Sequence, residues 1–191
     1  MPYLLNALAL LIELAFDAIA TLFVVRMLAE ASRADFHNPL SQFIYRSTNP
    51  VLAPLRRALP NWRRINLAAL LLAWLALLLK RALLLALAGA LPGAAGLLIL
   101  ALADLLDFIA LIYIALLFVW SLLSMLTADR SPPVLRLAEA ICAPLLRPLR
   151  GRLVFGALDF APMAVMIALL LARILLIAPL SDLGARLAMG G

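Results

Sequence analysis

Acidic and basic side chains interrupt the apolar stretches of this sequence, and their spacing is regular. Glu13 and Asp17 lie four residues apart, which places both on one face of a helix. Asp104 and Asp107, three residues apart, have the same relation. Basic residues lie late in two other apolar stretches: Lys80, Arg81 and Arg173. Ionisable groups inside a membrane are unfavourable, so each is a functional hypothesis.

Three interpretations of these charges stay open. In the first, ion pairs join acidic helices to basic helices: Glu13 or Asp17 with Lys80 or Arg81, and Asp107 with Arg173. In the second, the basic side chains extend to the outer headgroups while the carboxylates lie at the interface. In the third, the same charges line an ion or proton path. A rise of about 1.5 Å per residue places all of them in the outer half of the bilayer.

The residue types of this sequence give little support for an enzyme. His37 is the only histidine, so a histidine metal cluster and an imidazole acid–base pair are both excluded. Cys142 is the only cysteine, which excludes an intrachain disulfide. The glycines near residue 90 lie in an uncharged turn with no strand before it, unlike a phosphate-binding loop. The sequence therefore predicts a non-catalytic protein with no metal and no other cofactor.

The composition indicates an integral membrane protein. Hydrophobic residues make up 67% of the 191 residues and charged residues only 14%, far outside the range of soluble domains. The uncharged run FIALIYIALLFVWSLLSML, at 108–126, is long enough to span a bilayer. The N-terminal stretch carries two acidic residues and no basic region, so we expect a retained helix and not a signal peptide.

The predicted fold is an all-α membrane protein with four transmembrane helices. Their approximate positions are 4–31, 66–88, 94–126 and 160–180. Arginine-rich stretches follow the first and third helices, and the positive-inside rule places these in the cytoplasm. We therefore expect a multi-pass protein of the bacterial inner membrane with both termini in the periplasm. This asymmetry accounts for the net charge of +6, and no nucleic-acid partner is expected.

An internal duplication organises the chain. A shift of 94 residues aligns Pro50 with Pro144, Pro54 with Pro148, and Arg56 with Arg150. The predicted repeats are 1–93 and 94–191, and each consists of a helix, an interfacial segment and a second helix. The interfacial segments are 38–60 and 131–152. Because each repeat crosses the membrane twice, both copies have the same orientation, as in a parallel tandem repeat.

The interfacial segments are amphipathic at helical spacing. Their arginines gather on one side: Arg46, Arg56 and Arg57 in the first copy, and Arg136, Arg147 and Arg150 in the second. An apolar face beside an arginine stripe is typical of a helix lying in the headgroup layer. We expect these arginines to contact anionic lipids or a membrane protein partner. The alternative is a loop that is basic only because it sets the topology.

Proline and cap residues predict how these segments bend. Asn49 before Pro50 indicates a break, with Asn49 capping a second short helix that has Pro50 at its first position. Caps or breaks are also predicted at Pro54, Asn66, Pro144, Pro148 and Asp159.

The duplicated motifs resemble a known family. NPLSQ (38–42), NPVLAPLRRALP (49–60), INLAALLLA (65–73), APLLRPLR (143–150) and LDFAPMA (158–164) are similar to the YggT family of bacterial inner-membrane proteins, which is related to the plastid YlmG proteins. One departure is Ala143, because the second copy in the family more often has an acidic residue there. The resemblance implies this architecture and a connection with osmotic or potassium stress, without a defined molecular activity.

The sequence leads to two hypotheses about function, which belong to different classes. The favoured one is a membrane assembly or scaffold factor, because the most regular repeated feature is interfacial. The other is a small ion uptake or osmotic-stress-related conduction element that uses the charges of the outer half. Four helices leave little room for a polar path, so conduction would require a homo-oligomer.

Overall fold

The computed structural model describes residues 2–35, 37–59, 61–126, 132–149, 151–155 and 158–189. Three long helices are continuous: α1 (Pro2–Ala31), α3 (Leu67–Leu87) and α4 (Ala94–Leu126). A fourth long helix consists of α6 (Ala161–Ala172), a π-helical segment (Arg173–Ile177) and α7 (Ala178–Ala188). Two shorter helices are α2 (Pro39–Ala58) and α5 (Pro133–Leu146). A small antiparallel pair, β1 (Val154–Phe155) and β2 (Leu158–Asp159), precedes α6.

In the part of the chain that the structure describes, four helices are long and apolar enough to cross a membrane, which confirms the predicted number of spans. They are Tyr3–Ala31, Leu67–Leu87, Ala94–Ser124 and Ala161–Ala188. At about 1.5 Å per residue, even the shortest is close to the ~30 Å thickness of a hydrocarbon core. The fourth continues well beyond the predicted end near residue 180, because Pro179 lies at the start of α7 and does not end the helix.

Small side chains make up the contact between α1 and α3. Ala20, Ala69 and Ala73 are fully buried there, together with Val24 and Leu77. Lipid tails are as apolar as leucine, so helices associate in a membrane by close contact and not by escape from water. Alanine at these positions lets the two backbones approach closely.

Glycine has the same role where α4 contacts α7. A Cβ atom at Gly96 would lie 2.1 Å from the amide nitrogen of Ala188, and one at Gly184 would lie 2.9 Å from the amide nitrogen of Leu100. The amide of Gly93 donates a hydrogen bond to the carbonyl of Ala188 at 2.9 Å. Any side chain at Gly96 or Gly184 therefore forces the helices apart.

Helices α2 and α5 lie side by side at one end of the bundle. The buried face of α2 consists of Ser41, Ile44, Thr48 and Leu52, at the spacing of three and four residues that one helix face requires. Side chains of α5, including Ile141, are buried against the same core. The two N-termini are joined directly, because Asn38 Nδ2 donates to the carbonyl of Pro133 at 2.7 Å.

The predicted break at Asn49, Pro50 and Pro54 is wrong. Helix α2 continues through both prolines, and its N-cap is Asn38, whose side chain accepts from the amide of Leu40. The two prolines lie on the exposed side of α2, four residues apart. The carbonyls deprived of a donor therefore face water or headgroups, while the opposite face keeps its hydrogen bonds and its buried contacts.

Helix α5 behaves similarly. Pro144 lies inside α5 and does not interrupt it, and the helix ends at Leu146, just before Pro148. Asn66 is the N-cap of α3, with Oδ1 accepting from the amide of Ala69 at 3.1 Å. Asp159 accepts from the amide of Ala161 at 2.9 Å, immediately before α6 begins.

Replacing Gly96 or Gly184 with alanine should destabilise the bundle. The added methyl group meets backbone atoms that cannot rotate away, so we expect a loss of about 1–3 kcal/mol in the free energy of unfolding. Unfolding of the purified protein in mixed detergent micelles measures this loss. Ala168→Val is the matched control, since Ala168 is exposed on α6. Equal stability of the glycine variants and the control would contradict the close contact.

Candidate functional site

Glu30, near the end of α1, lies at the centre of a polar cluster at the α2 end of the bundle. Arg26 Nε lies 2.8 Å from Glu30 Oε1, and Arg56 Nη2 donates to the same oxygen. Asn66 Nδ2 donates to Glu30 Oε2 at 2.8 Å. One carboxylate therefore binds side chains from α1, α2 and the start of α3. With Tyr45 these residues are called the Glu30 cluster below.

Arg26 is the most unusual member of this cluster, because only 1% of its surface is exposed. Its guanidinium carbon lies 3.1 Å from the centroid of the Tyr45 ring, on the face where a cation is attracted. Arg26 Nε and Nη1 lack a well-aligned hydrogen bond, although Nε is at ion-pair distance from Glu30. The buried charge of Arg26 thus depends on Glu30 and on the ring of Tyr45.

Tyr45 remains a neutral phenol in this setting. Burial, reinforced by the negative charge of Glu30, raises the pKa of Tyr45 to about 12. The neutral Tyr45 ring therefore presents its face to Arg26 throughout the physiological pH range. Glu30 is the negatively charged residue of the cluster.

The sequence predictions missed Arg26 and Glu30. Their spacing of four residues within an apolar segment is a usable signal for an intrahelical ion pair. The repeat alignment hides it, because the shift of 94 residues places Trp120 and Ser124 at these positions. The cluster therefore belongs to the first half of the chain alone.

A second layer of charges lies further along the bundle, away from α2 and α5. Lys80 Nζ donates to Asp17 Oδ1 at 2.5 Å, linking α3 to α1. Arg81 donates through both Nε and Nη2 to Asp104, with Nε 2.8 Å from Oδ2, linking α3 to α4.

The third pair completes this layer. Arg173 Nε donates to Asp107 Oδ1 at 2.6 Å and Nη2 donates to Oδ2 at 3.1 Å, linking the fourth span to α4. All four spans are thus connected in sequence by ion pairs. Glu13 is exposed and makes no ion pair within the described ranges, and Arg81 has Asp104 as its partner instead of Glu13 or Asp17.

A cavity of about 570 Å³ adjoins these pairs between α4 and the fourth span. Its polar lining includes Arg81, Asp104, Asp107, Arg173, Ser181 and Asp182. The helix is wound as a π-helix at this cavity, and the amide of Ala178 donates to the carbonyl of Arg173. Pro179 explains the wider turn, since its ring would clash with the carbonyl four residues earlier in an α-helix.

Four of the arginines predicted to contact lipid or a partner are exposed: Arg46 and Arg57 on α2, Arg136 on α5 and Arg147 just after it. This set is called the exposed arginine face. Arg56 turns towards Glu30 instead, and Arg150 lies outside the described residues.

Two further reactive side chains are Cys142 and His37. Burial raises the pKa of the Cys142 thiol to about 12, so it is protonated and unreactive. His37 is exposed beside Asp35, and its backbone amide donates to that carboxylate and lowers the pKa of Asp35. Within the part of the chain that the structure describes, no group of three histidine, cysteine or acidic side chains could hold a metal ion.

Four apolar spans carrying paired charges define a multi-pass membrane protein. The family model for CCB3/YggT matches residues 5–87 and 99–180, and the chain belongs to this family.

Relatives of similar length support this assignment. An uncharacterised protein encoded in the proC 3' region of Vibrio alginolyticus is 33% identical over 177 residues, covering 90% of this chain and 94% of that protein. The uncharacterised protein YggT of Escherichia coli K12 is 33% identical over 168 residues, covering 86% of each chain. A Pseudomonas aeruginosa relative is 37% identical over 159 residues, covering 81% of this chain and 80% of its own. No solved structure is a significant match.

Substituting Glu30 with glutamine should destabilise the protein strongly. Arg26 would keep a buried positive charge without a counterion, and removing one partner of such a pair costs about 3–5 kcal/mol. The double variant Arg26→Met with Glu30→Gln should recover much of this loss, because no uncompensated charge is then buried. Chemical unfolding in detergent micelles measures both.

The control for this comparison is Glu13→Gln, since Glu13 is exposed and lacks an ion pair in the described residues. We expect a change within about 0.5 kcal/mol for this variant. A Glu30→Gln protein as stable as Glu13→Gln would show that the cluster contributes nothing to the fold.

Proposed function

We propose that this chain is a non-catalytic assembly or scaffold protein of the bacterial inner membrane. In this proposal the exposed arginine face holds anionic lipid, or an acidic segment of a membrane protein partner, at the cytoplasmic surface. The observation that carries the proposal is the exposure of Arg46, Arg57, Arg136 and Arg147 on two neighbouring segments at one end of the bundle.

Anchoring of the two helices supports this role. Buried contacts through Ile44 and Leu52, and the bond between Asn38 and Pro133, fix α2 and α5 on the bundle. The arginines are consequently presented from a fixed base, which lowers the entropy lost when a ligand binds. Each arginine near an anionic membrane surface contributes about 1 kcal/mol of attraction, screened by salt.

We also infer the orientation and the duplication. Arginine is concentrated at the α2 and α5 end, and the positive-inside rule favours the cytoplasm for that end and the periplasm for both termini. The two separate family matches, at 5–87 and 99–180, support a tandem repeat whose copies have the same orientation.

A conduction element is the second candidate, and the cavity of about 570 Å³ beside Asp104 and Asp107 favours it. Both carboxylates are engaged by arginines, however, so an ion would have to displace Arg81 or Arg173. A flux assay on proteoliposomes separates the two functions. Potassium flux that Asp104→Asn abolishes would replace the scaffold proposal with the conduction proposal.

Neutralising the exposed arginine face should markedly reduce the preference of the protein for anionic boundary lipid. We expect the natural protein to immobilise spin-labelled phosphatidylglycerol several-fold more than phosphatidylcholine at low salt. Changing Arg46, Arg57, Arg136 and Arg147 together to glutamine should bring the two lipids closer to equality. Electron paramagnetic resonance of the labelled lipids gives the restricted fraction.

Arg186→Gln is the control for this experiment, because Arg186 is exposed at the opposite end of the bundle. It should leave the lipid preference unchanged. A preference that is undiminished in the quadruple variant would contradict a lipid-binding role for the exposed arginine face and would leave an acidic protein segment as its ligand.

Cysteine labelling of intact cells should report the proposed orientation. An impermeant maleimide should label Leu91→Cys, since Leu91 is 95% exposed in the turn before α4, and should miss Arg57→Cys. The natural Cys142 gives little background because it is buried and protonated. The reverse labelling pattern would overturn the orientation.

A further inference from the structure

A groove of about 550 Å³ opens beside the Glu30 cluster, where α1, α2 and the segment before α3 meet. Its charged and amide side chains are Glu30, Arg33, Arg56, Asn61, Arg63 and Arg64. None of the four residues of the exposed arginine face lines this groove. It is called the arginine groove below.

The charges in the arginine groove do not balance. Glu30 is its only lining carboxylate, and both oxygens of Glu30 already accept from other side chains of the Glu30 cluster. Arg33, Arg63 and Arg64 make no ion pair with any described residue. The groove therefore holds an excess of positive charge that an anionic ligand would neutralise.

An unsatisfied donor lies at the inner wall. Nε of Arg56, which lines the groove, is buried without a hydrogen-bond partner. A buried donor left without an acceptor is unfavourable, and native structures contain few of them. The Arg56 guanidinium therefore keeps a donor that neither Glu30 nor another described residue satisfies.

The segment before α3 is shaped to present arginines. Trp62 and Ile65 exchange two backbone hydrogen bonds, of 3.1 and 2.9 Å, and close a tight turn with Arg63 and Arg64 at its tip. Arg63 has a φ of 54° and Arg33 a φ of 55°. These are the non-glycine residues with positive φ in the described part of the chain, and both line the groove. Positive φ is uncommon for a residue with a side chain. Here it follows the end of α1 at Arg33 and closes the turn at Arg63, so both side chains are placed at the groove.

The rim of the groove lies where a lipid headgroup would be found. Trp62 and Ile65, the two ends of the turn, are exposed, and 64% of the surface of Trp62 is accessible. Exposed tryptophan is typical of the boundary between headgroups and acyl chains. α3 begins its span at Leu67, immediately after this turn, so the arginines stand at the membrane surface.

We propose that the arginine groove is a binding site for the phosphate of an anionic phospholipid headgroup, with Arg33, Arg63 and Arg64 as its principal ligands. Guanidinium groups bind phosphate oxygens through two parallel hydrogen bonds, which gives both affinity and orientation. This inference rests on the proposed function for the cytoplasmic location, and it adds a single stoichiometric lipid site to the general attraction of the exposed arginine face.

Native mass spectrometry of the full-length protein, released from micelles containing phosphatidylglycerol or phosphatidylcholine, tests the proposal. We expect one phosphatidylglycerol molecule to be retained per chain. Arg63→Gln with Arg64→Gln should weaken retention about tenfold, since two charge-assisted contacts are lost. Arg152→Gln with Arg186→Gln is the matched control and should retain the lipid normally, since neither residue lines the groove or belongs to the exposed arginine face. All four arginines are exposed, so folding should be unaffected, and thermal unfolding checks this.

The other outcomes are equally decisive. Calorimetry of lipid-free protein with inorganic phosphate tests a free anion as the ligand. Binding to the natural protein but not to the Arg63 and Arg64 variant would support the same site with a free anion as its ligand. Equal retention of the two lipids, or undiminished retention in that variant, would overturn the proposal. The boundary-lipid measurement reports the exposed arginine face separately, so failure of the groove and failure of the proposed function are distinguishable.

Discussion

One carboxylate, Glu30, holds the α2 end of the bundle together. It accepts hydrogen bonds from Arg56 of α2 and from Asn66, the N-cap of α3, and it is the counterion of a fully buried Arg26. Burying a guanidinium without a partner is strongly unfavourable, so the position of α1 determines where α2 and α3 can lie. The faces that α2 and the turn at 62–65 leave exposed follow from this constraint.

The rest of the bundle depends on different forces. Ion pairs connect neighbouring spans in the second charged layer, and glycine and alanine permit close contact between α4 and α7 and between α1 and α3. The two halves of the chain are also unequal. The aligned positions of Arg26 and Glu30 are Trp120 and Ser124, and the corresponding region of the second half packs Leu117, Cys142 and Leu146 into an apolar cluster. The buried polar cluster at the α2 and α5 end thus comes from the first half of the chain.

Hydropathy was sufficient to predict the four spans, because a bilayer imposes its thickness on every helix that crosses it. Local cap rules also located Asn66, since an N-cap bond involves only residues a few positions apart. The same local rules failed at Pro50 and Pro54, where buried contacts on the opposite face of α2 keep the helix continuous. The pairing of Arg81 with Asp104 was beyond sequence reasoning, because sequence indicates that a charge needs a partner but not which helix supplies it.

Hydrogen exchange of α2 in lipid nanodiscs tests the central role of Glu30 most directly. The account predicts that the amides of α2 are protected in the natural protein nearly as well as those of the second half of α1. In Glu30→Gln the protection of α2 should fall markedly, while α4 and α7, which supply no residue to the Glu30 cluster, keep theirs. Protection of α2 that is unchanged in this variant, or lost equally from α4 and α7, would contradict the account.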